Sequence, residues 1–168
     1  MLTLDSFNAL CPSSVSKNCA WDDSVWNKRN GGPIASFLDF WASEDATKAW
    51  QAMAEFVVER WGRSPAVAFI ELFNEVDMAD ALGLAPHSHQ WQVSAATRIK
   101  HLNAFQSRPV CQSFAIAKGE PALDSSDAFD LTTSHVYQRG DSDRGDIAGS
   151  TSAYTAAKVP PPVVLAVV

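Results

Sequence analysis

The sequence predicts an α/β fold built on a parallel sheet. Three observations carry that expectation. Strand-like and helix-like segments alternate along the chain; residues 66–73 form an apolar run broken only by Glu71; and residues 43–61 join a helix start signal to apolar residues at helical spacing. An apolar run on both parities suits a parallel strand covered on both faces.

Met1 to Phe7 alternates and is bounded by Asn8 and by a polar, Pro-containing stretch from Cys11 to Lys17, so it reads as a strand leaving into a long loop. The loop runs to about Asp39 and holds Trp21, Trp26 and the turn-forming Asn30-Gly31-Gly32-Pro33. Loops of this length are uncommon unless they carry function. Ser43 is a good N-cap with Glu44 and Asp45 in the first turn; Ala46, Ala49, Trp50, Met53, Val57 and Trp61 follow at helical spacing, predicting a helix that ends near Gly62. After a Ser64-Pro65 turn comes the strand 66–73. Residues His89 to Asn103, with Trp91, Ala95, Ile99 and Leu102, predict a second helix, and Pro109–Phe114 and Phe129–His135 predict two short strands. A weak helix and a last strand, Val163–Val168 after Pro160-Pro161-Pro162, complete the order.

The 168 residues, 46% hydrophobic and 19% charged, are those of one soluble globular domain spanning 1–168. Thirteen Lys and Arg against nineteen Asp and Glu leave a net charge of −6 with no basic stripe, so nucleic acid is not an expected partner. No apolar run approaches the roughly 18 residues of a membrane span. The opening MLTLDSFNAL lacks the basic and apolar regions of a signal peptide, which leaves the compartment of a parent protein, a secreted one included, open. Cys11, Cys19 and Cys111 lack zinc-ligand spacing; Cys11 and Cys19 could close a loop disulfide, but three unpaired thiols are the plainer expectation. His87 and His89 near Asp77 and Asp80 are too loosely spaced for a metal cluster. Asp141, Asp143 and Asp146 lack the Gly and terminal Glu of a calcium loop and read as solvated. Neither metal nor cofactor is expected.

In parallel α/β architectures catalytic groups collect at the carboxyl ends of strands, and there the strand 66–73 delivers Asn74 and Glu75. Alternation puts Glu71, Phe73 and Glu75 on one side, so a buried Glu71 needs a partner or a proton. The strand at 129–135 likewise delivers Ser134-His135-Val136-Tyr137, offering an imidazole and an aromatic ring able to orient a carboxylate or hold a sugar.

The stretch VVERWGRSPAVAFIELFNEVD resembles the fourth-strand region of clan A glycoside hydrolases, particularly the family 5-like cellulase and mannanase group. WNKRNGGPIASFLDFWASEDA is similar to the loop and helix start of the same proteins, and RPVCQSFA and FDLTTSHVY resemble their fifth and sixth strands. The resemblance implies an incomplete (β/α)₈ TIM barrel, about five of eight strands, from the third to the seventh. It implies Glu75 as general acid/base, Asn74 as the residue bonding the sugar 2-OH, and His135 and Tyr137 as a sixth-strand pair. Trp21 and Trp26 are candidate sugar-stacking platforms or loop packing, and Asn8 joins them as a candidate substrate contact. A retaining glycosidase needs a second carboxylate ~5–5.5 Å from the acid. Aligned on the family's seventh strand, that carboxylate falls at Val167, which cannot attack.

The expected function is therefore retaining hydrolysis of β-linked polysaccharide or oligosaccharide, with a carbohydrate partner and with this chain alone inactive. The alternatives are a non-catalytic sugar-binding relative and an inactive gene fragment. Two open sheet edges, beside Met1–Phe7 and beside Val163–Val168, also predict a chain prone to aggregate.

Overall fold

A computed structural model describes residues 1–78, 83, 85–102, 108–115, 126–136 and 163–167. Five parallel strands form one sheet: β1 (Leu2–Thr3), β2 (Ile70–Glu71), β3 (Val110–Phe114), β4 (Leu131–Val136) and β5 (Val163–Val167), in the spatial order β1-β2-β3-β4-β5. Helix α1 (Glu44–Trp61) lies between β1 and β2 in sequence, and α2 (Ala85–His101) between β2 and β3.

The expected incomplete barrel is corrected by this topology. A barrel exists only when strand number and stagger let the first and last strands pair, whereas here β1 and β5 lie at opposite edges of an open sheet. Two α-helices are present among the described residues, fewer than one per strand. The weak helix expected near 148–158 lies outside the described residues.

The strands are shorter than the apolar runs that signalled them. Ala66 and Val67 are used by the turn that Val67 N–H closes on the Ser64 carbonyl, and regular pairing in β2 is confined to Ile70 and Glu71, preceded by the Phe69 carbonyl accepting from Leu2 N–H. The β1–β2 contact nevertheless continues past the regular ladder: Leu4 N–H donates to the Glu71 carbonyl, Asn74 N–H to Asp5, and Phe7 N–H to Asn74, at 2.9, 2.8 and 3.0 Å. This extension fixes the chain around Asn74 and Glu75 against the end of β1.

Helix α1 starts where its cap predicts, with Ser43 Oγ accepting from Ala46 N–H at 3.2 Å. Its buried stripe is Ala46, Trp50, Ala54 and Val58, one residue every four. The face thus lies to one side of the expected one: Ala49 is exposed and Trp61 is 44% exposed, while Met53 and Val57 flank the core. Helix α2 begins a turn earlier than His89 and buries Trp91, Ala95, Ala96 and Ile99. Trp50 and Trp91 meet edge to face at 4.6 Å, and Phe40, Trp41 and Phe73 pack on Trp91, so one aromatic cluster joins both helices to the segment before Asn74. No helix of the described residues is long and apolar enough to cross a membrane.

The long loop is a built segment of four short 3-10 turns. Cys11 and Cys19 form a disulfide with Cα atoms 5.0 Å apart, correcting the expectation of unpaired thiols; Cys111 is free and buried. The bridge is flanked by Ala20 N–H donating to Asn8 and Trp21 N–H donating to Cys11, so backbone pairing already brings the two cysteines together. The turn at Asn30-Gly31-Gly32-Pro33 uses its glycines for separate reasons. Gly31 sits at φ 90°, and a Cβ on Gly32 would stand 2.3 Å from the Trp26 carbonyl.

Candidate functional site

Glu75, Ser113 and His135 come together beside the carboxyl end of the sheet. Glu75 lies four residues beyond Glu71, the last residue of β2, Ser113 is on β3, and His135 is on β4. His135 Nδ1 stands 2.9 Å from Glu75 Oε1, and His135 Nε2 stands 3.1 Å from Ser113 Oγ. The ring therefore bridges the acid and the hydroxyl across the width of β3. Glu75 keeps 13% of its side chain exposed, His135 is 8% exposed as a residue, and Ser113 is fully buried.

Glu75 has φ 56°, the sole non-glycine residue in the left-handed region among those described. That conformation is uncommon for a residue with a Cβ, and such outliers concentrate at functional sites where the surroundings hold them. Here Asn74 is anchored through its N–H to Asp5 and through its carbonyl to Phe7, in the segment after β1, and Asp77 Oδ1 accepts from Ala115 N–H at 2.7 Å. Glu75 is thus held between two tethered neighbours.

The electrostatics of the cluster are dominated by burial and by carboxylates. Burial pushes the fully buried Glu71 up to about 7; the nearby Glu75 charge adds to this, and a charged His135 opposes it. Among the described residues neither Glu71 carboxyl oxygen has a partner in hydrogen-bond geometry, although the Thr3 side chain favours the anion. His135 is raised above 6.5, first by its hydrogen bond to Glu75 and then, against the opposing effect of burial, by the charges of Glu75, Glu71 and Asp77. The Cys111 thiol, in register with Glu71, is pushed up by burial and by the Glu71 charge, so it is an inert buried thiol.

Several expected site residues are placed differently. Asn74 is beside Glu75, with its Nδ2 3.4 Å from Ser6 Oγ. Glu71 lies within electrostatic reach of Glu75, but the expected alternation through Phe73 does not hold. Regular strand geometry ends at Glu71, and the Phe73 ring joins Trp41 and Trp91 instead. Trp21 and Trp26 are 9% and 5% exposed, and their rings pack edge-on against Phe37 and Phe40. That corrects their candidacy as sugar platforms, because stacking needs an open ring face. Asn8 uses its backbone carbonyl to accept from Ala20 N–H, a loop-building contact. Tyr137 lies outside the described residues. The Val167 backbone pairs with Val136 at the end of β5. Among the described residues no group of His, Cys, Asp and Glu could hold a metal ion.

Two residues were missed. Ser113 sits in a strand whose polar content was itself a signal. Gln112, Ser113, Thr132 and Thr133 are all buried, with Gln112 Nε2 donating to Thr132 Oγ1 at 3.0 Å, and buried polar residues on adjacent strands mark an interior built for hydrogen bonding. Asp5, just past β1, is pushed up to about 7 by burial, partly offset by the Ser6 N–H and the Trp26 indole. The strand-end rule that selects Glu75 also selects Asp5.

Comparison with protein-family profiles and with curated proteins finds no match to this chain.

Proposed function

We propose that this chain carries the acid/base half of a retaining glycosidase acting on β-linked saccharides, with Glu75 as proton donor. The observation that carries the reading is the 2.9 Å contact between Glu75 and His135 beside the carboxyl end of a parallel sheet, with Glu75 held at φ 56°. A glycosidase acid must hold a proton near neutral pH and release it to the departing oxygen. His135, raised above 6.5 by its hydrogen bond to Glu75, holds that proton on Nδ1 facing Oε1 and can pass it through the carboxylate. As the glycosidic bond breaks, Glu75 delivers the proton and His135 replenishes it. Asn74, next in sequence and tied to Ser6, is positioned to bond a sugar hydroxyl whose contact strengthens as positive charge develops. A purely sugar-binding role loses its main support because Trp21 and Trp26 are buried.

Val167 stands where the resemblance calls for a nucleophile, so the test supplies one. With a phenyl β-glycoside, azide attacks the anomeric carbon, the carbon–oxygen bond breaks, and the departing phenoxide takes the proton from Glu75. The products are phenol and an α-glycosyl azide. The expected result is azide-dependent release of phenol from a gluco, manno or xylo substrate that is lost in Glu75→Gln. Release that persists in Glu75→Gln, or no release from any of the three by a cooperatively melting sample, refutes the reading.

A further inference from the structure

We infer that Ser113 is a positioning residue that holds His135 with its exchangeable proton on Nδ1, facing Glu75. The role rests on the acid/base reading of Glu75, but its geometry is independent of any substrate.

Ser113 Oγ is 3.1 Å from His135 Nε2, on the far side of the ring from Glu75. A hydroxyl is one of the few side-chain groups that can serve both charge states of an imidazole, because it donates or accepts by rotating its hydrogen. When His135 is charged, both ring nitrogens donate, Nδ1–H to Glu75 and Nε2–H to the Ser113 oxygen. When His135 is neutral, the Ser113 O–H donates to a bare Nε2, which leaves the remaining proton on Nδ1. The tautomer of a histidine is set by the bond its other nitrogen makes, and here that bond comes from Ser113.

Burial makes the choice matter. Ser113 is fully buried and His135 nearly so, and a buried ring nitrogen left without a partner costs the desolvation of that group. The same burial excludes Ser113 as a nucleophile, since its hydroxyl is closed to an approaching carbonyl. Among the described residues the charges of Glu75, Glu71 and Asp77 favour protonation of His135; Glu75 bonds the ring directly, and an ionised carboxylate can only accept, so it calls for the proton on Nδ1. Ser113 answers at Nε2, donating to it when the ring is neutral and accepting from it when the ring is charged, so both nitrogens stay paired with the proton on Nδ1.

The experiment uses the whole chain and ring ¹⁵N chemical shifts of His135 across a pH titration, which report tautomer and protonation directly. In the wild type the neutral ring is expected as the Nδ1–H form. Ser113→Thr keeps the hydroxyl and should keep both that form and the midpoint; Ser113→Val, of nearly the same shape as the Thr variant, and Ser113→Ala should lower the midpoint, because the charged ring then loses the acceptor for its Nε2–H. In the azide-supported reaction, Ser113→Val should lose on the order of 10-fold or more in kcat, at the low end of what positioned proton transfer contributes, with KM little changed and Ser113→Thr restoring the rate.

An unaltered midpoint in Ser113→Val overturns the inference, as does equal behaviour of the Thr and Val variants. Covalent capture of Ser113 by a fluorophosphonate would also overturn it, by making the residue a nucleophile. A wild type that shows the tautomer pattern but no turnover sinks the glycosidase reading alone, so the two failures are distinguishable.

Discussion

Replacing Glu71 by Gln should stabilise the protein at pH 8 and change little at pH 4. Glu71 is fully buried with neither carboxyl oxygen hydrogen-bonded among the described residues, and burial holds its proton up to about 7 against an ordinary value of 4.5. The folded chain therefore keeps this proton after the unfolded chain has released it. Stability must fall as pH rises from about 4.5, and the loss is complete above about 7. At about 1.4 kcal/mol per decade of proton affinity, the folded carboxylate at pH 8 costs roughly 3 kcal/mol. Gln has nearly the shape of the protonated acid and no charge to desolvate, so the variant should escape that cost. Urea unfolding at both pH values gives the two differences in free energy. The expected result is that Glu71→Gln gains about 3 kcal/mol more at pH 8 than at pH 4. Equal effects at the two pH values would refute the claim that an ionised, unpartnered Glu71 burdens the fold. A loss at pH 8 would mean that the carboxylate has a partner.

His135 also loses stability as pH rises, here by losing a favourable charge: its pairing with Glu75 raises its proton affinity in the folded state, so the stabilisation is fully present below 6.5 and fades as pH rises through the raised value. Its NMR titration midpoint should accordingly drop in Glu75→Gln, and a midpoint that does not move would mean that the contact is not populated. Cys11→Ala opens a bridge between residues eight apart, and the chain-entropy relation places the destabilisation at roughly 2–3 kcal/mol, readable from urea melts of oxidised wild type and variant. Trp50 is fully buried and its indole N–H has no partner among the described residues, so Trp50→Ala should cost about 3–5 kcal/mol, whereas Trp50→Phe, which deletes that donor but keeps a ring on Trp91, should cost much less. Equal costs from calorimetry would show that packing volume outweighs the orphaned donor.

Much of the local structure was legible because it is written in short-range chemistry. Ser43 caps α1 through a bond to a residue three positions on, and Gly31 and Gly32 answer to a backbone that only glycine fits. The parallel sheet was legible from the alternation of elements, as was the position of Glu75 a few residues past the end of a strand. Closure was not legible. Whether strands curve into a barrel depends on stagger between chain segments far apart in sequence, and an apolar run does not encode it. The resemblance supplied a barrel where the topology is an open sheet. The disulfide was misjudged for a related reason: its partners are brought together by backbone bonds from Ala20 and Trp21 to Asn8 and Cys11, which Cys spacing alone does not reveal.

The site shows the same division between what is local and what is not. Glu75 and Asn74 are neighbours in sequence, so a strand end sufficed to place them together. Ser113 and His135 stand 38 and 60 residues beyond Glu75, and only the register of β3 against β4 puts Ser113 where it can meet the ring. That register pairs Ser113 with Thr133, two residues before His135, so the hydroxyl reaches diagonally toward the strand end. A slip of one residue would turn Ser113 to the opposite face and break the contact. The polar side chains that looked out of place in a buried strand, Gln112 bonded to Thr132 and Thr133 bonded to the Gln112 carbonyl, hold these same two strands together. Misregistered, these groups would be buried unpaired, a cost that apolar pairs would not impose. The buried polarity of β3 and β4 is thus the physical link between fold and site: it fixes the register, and the register delivers Ser113 to one nitrogen of the ring whose other nitrogen faces Glu75.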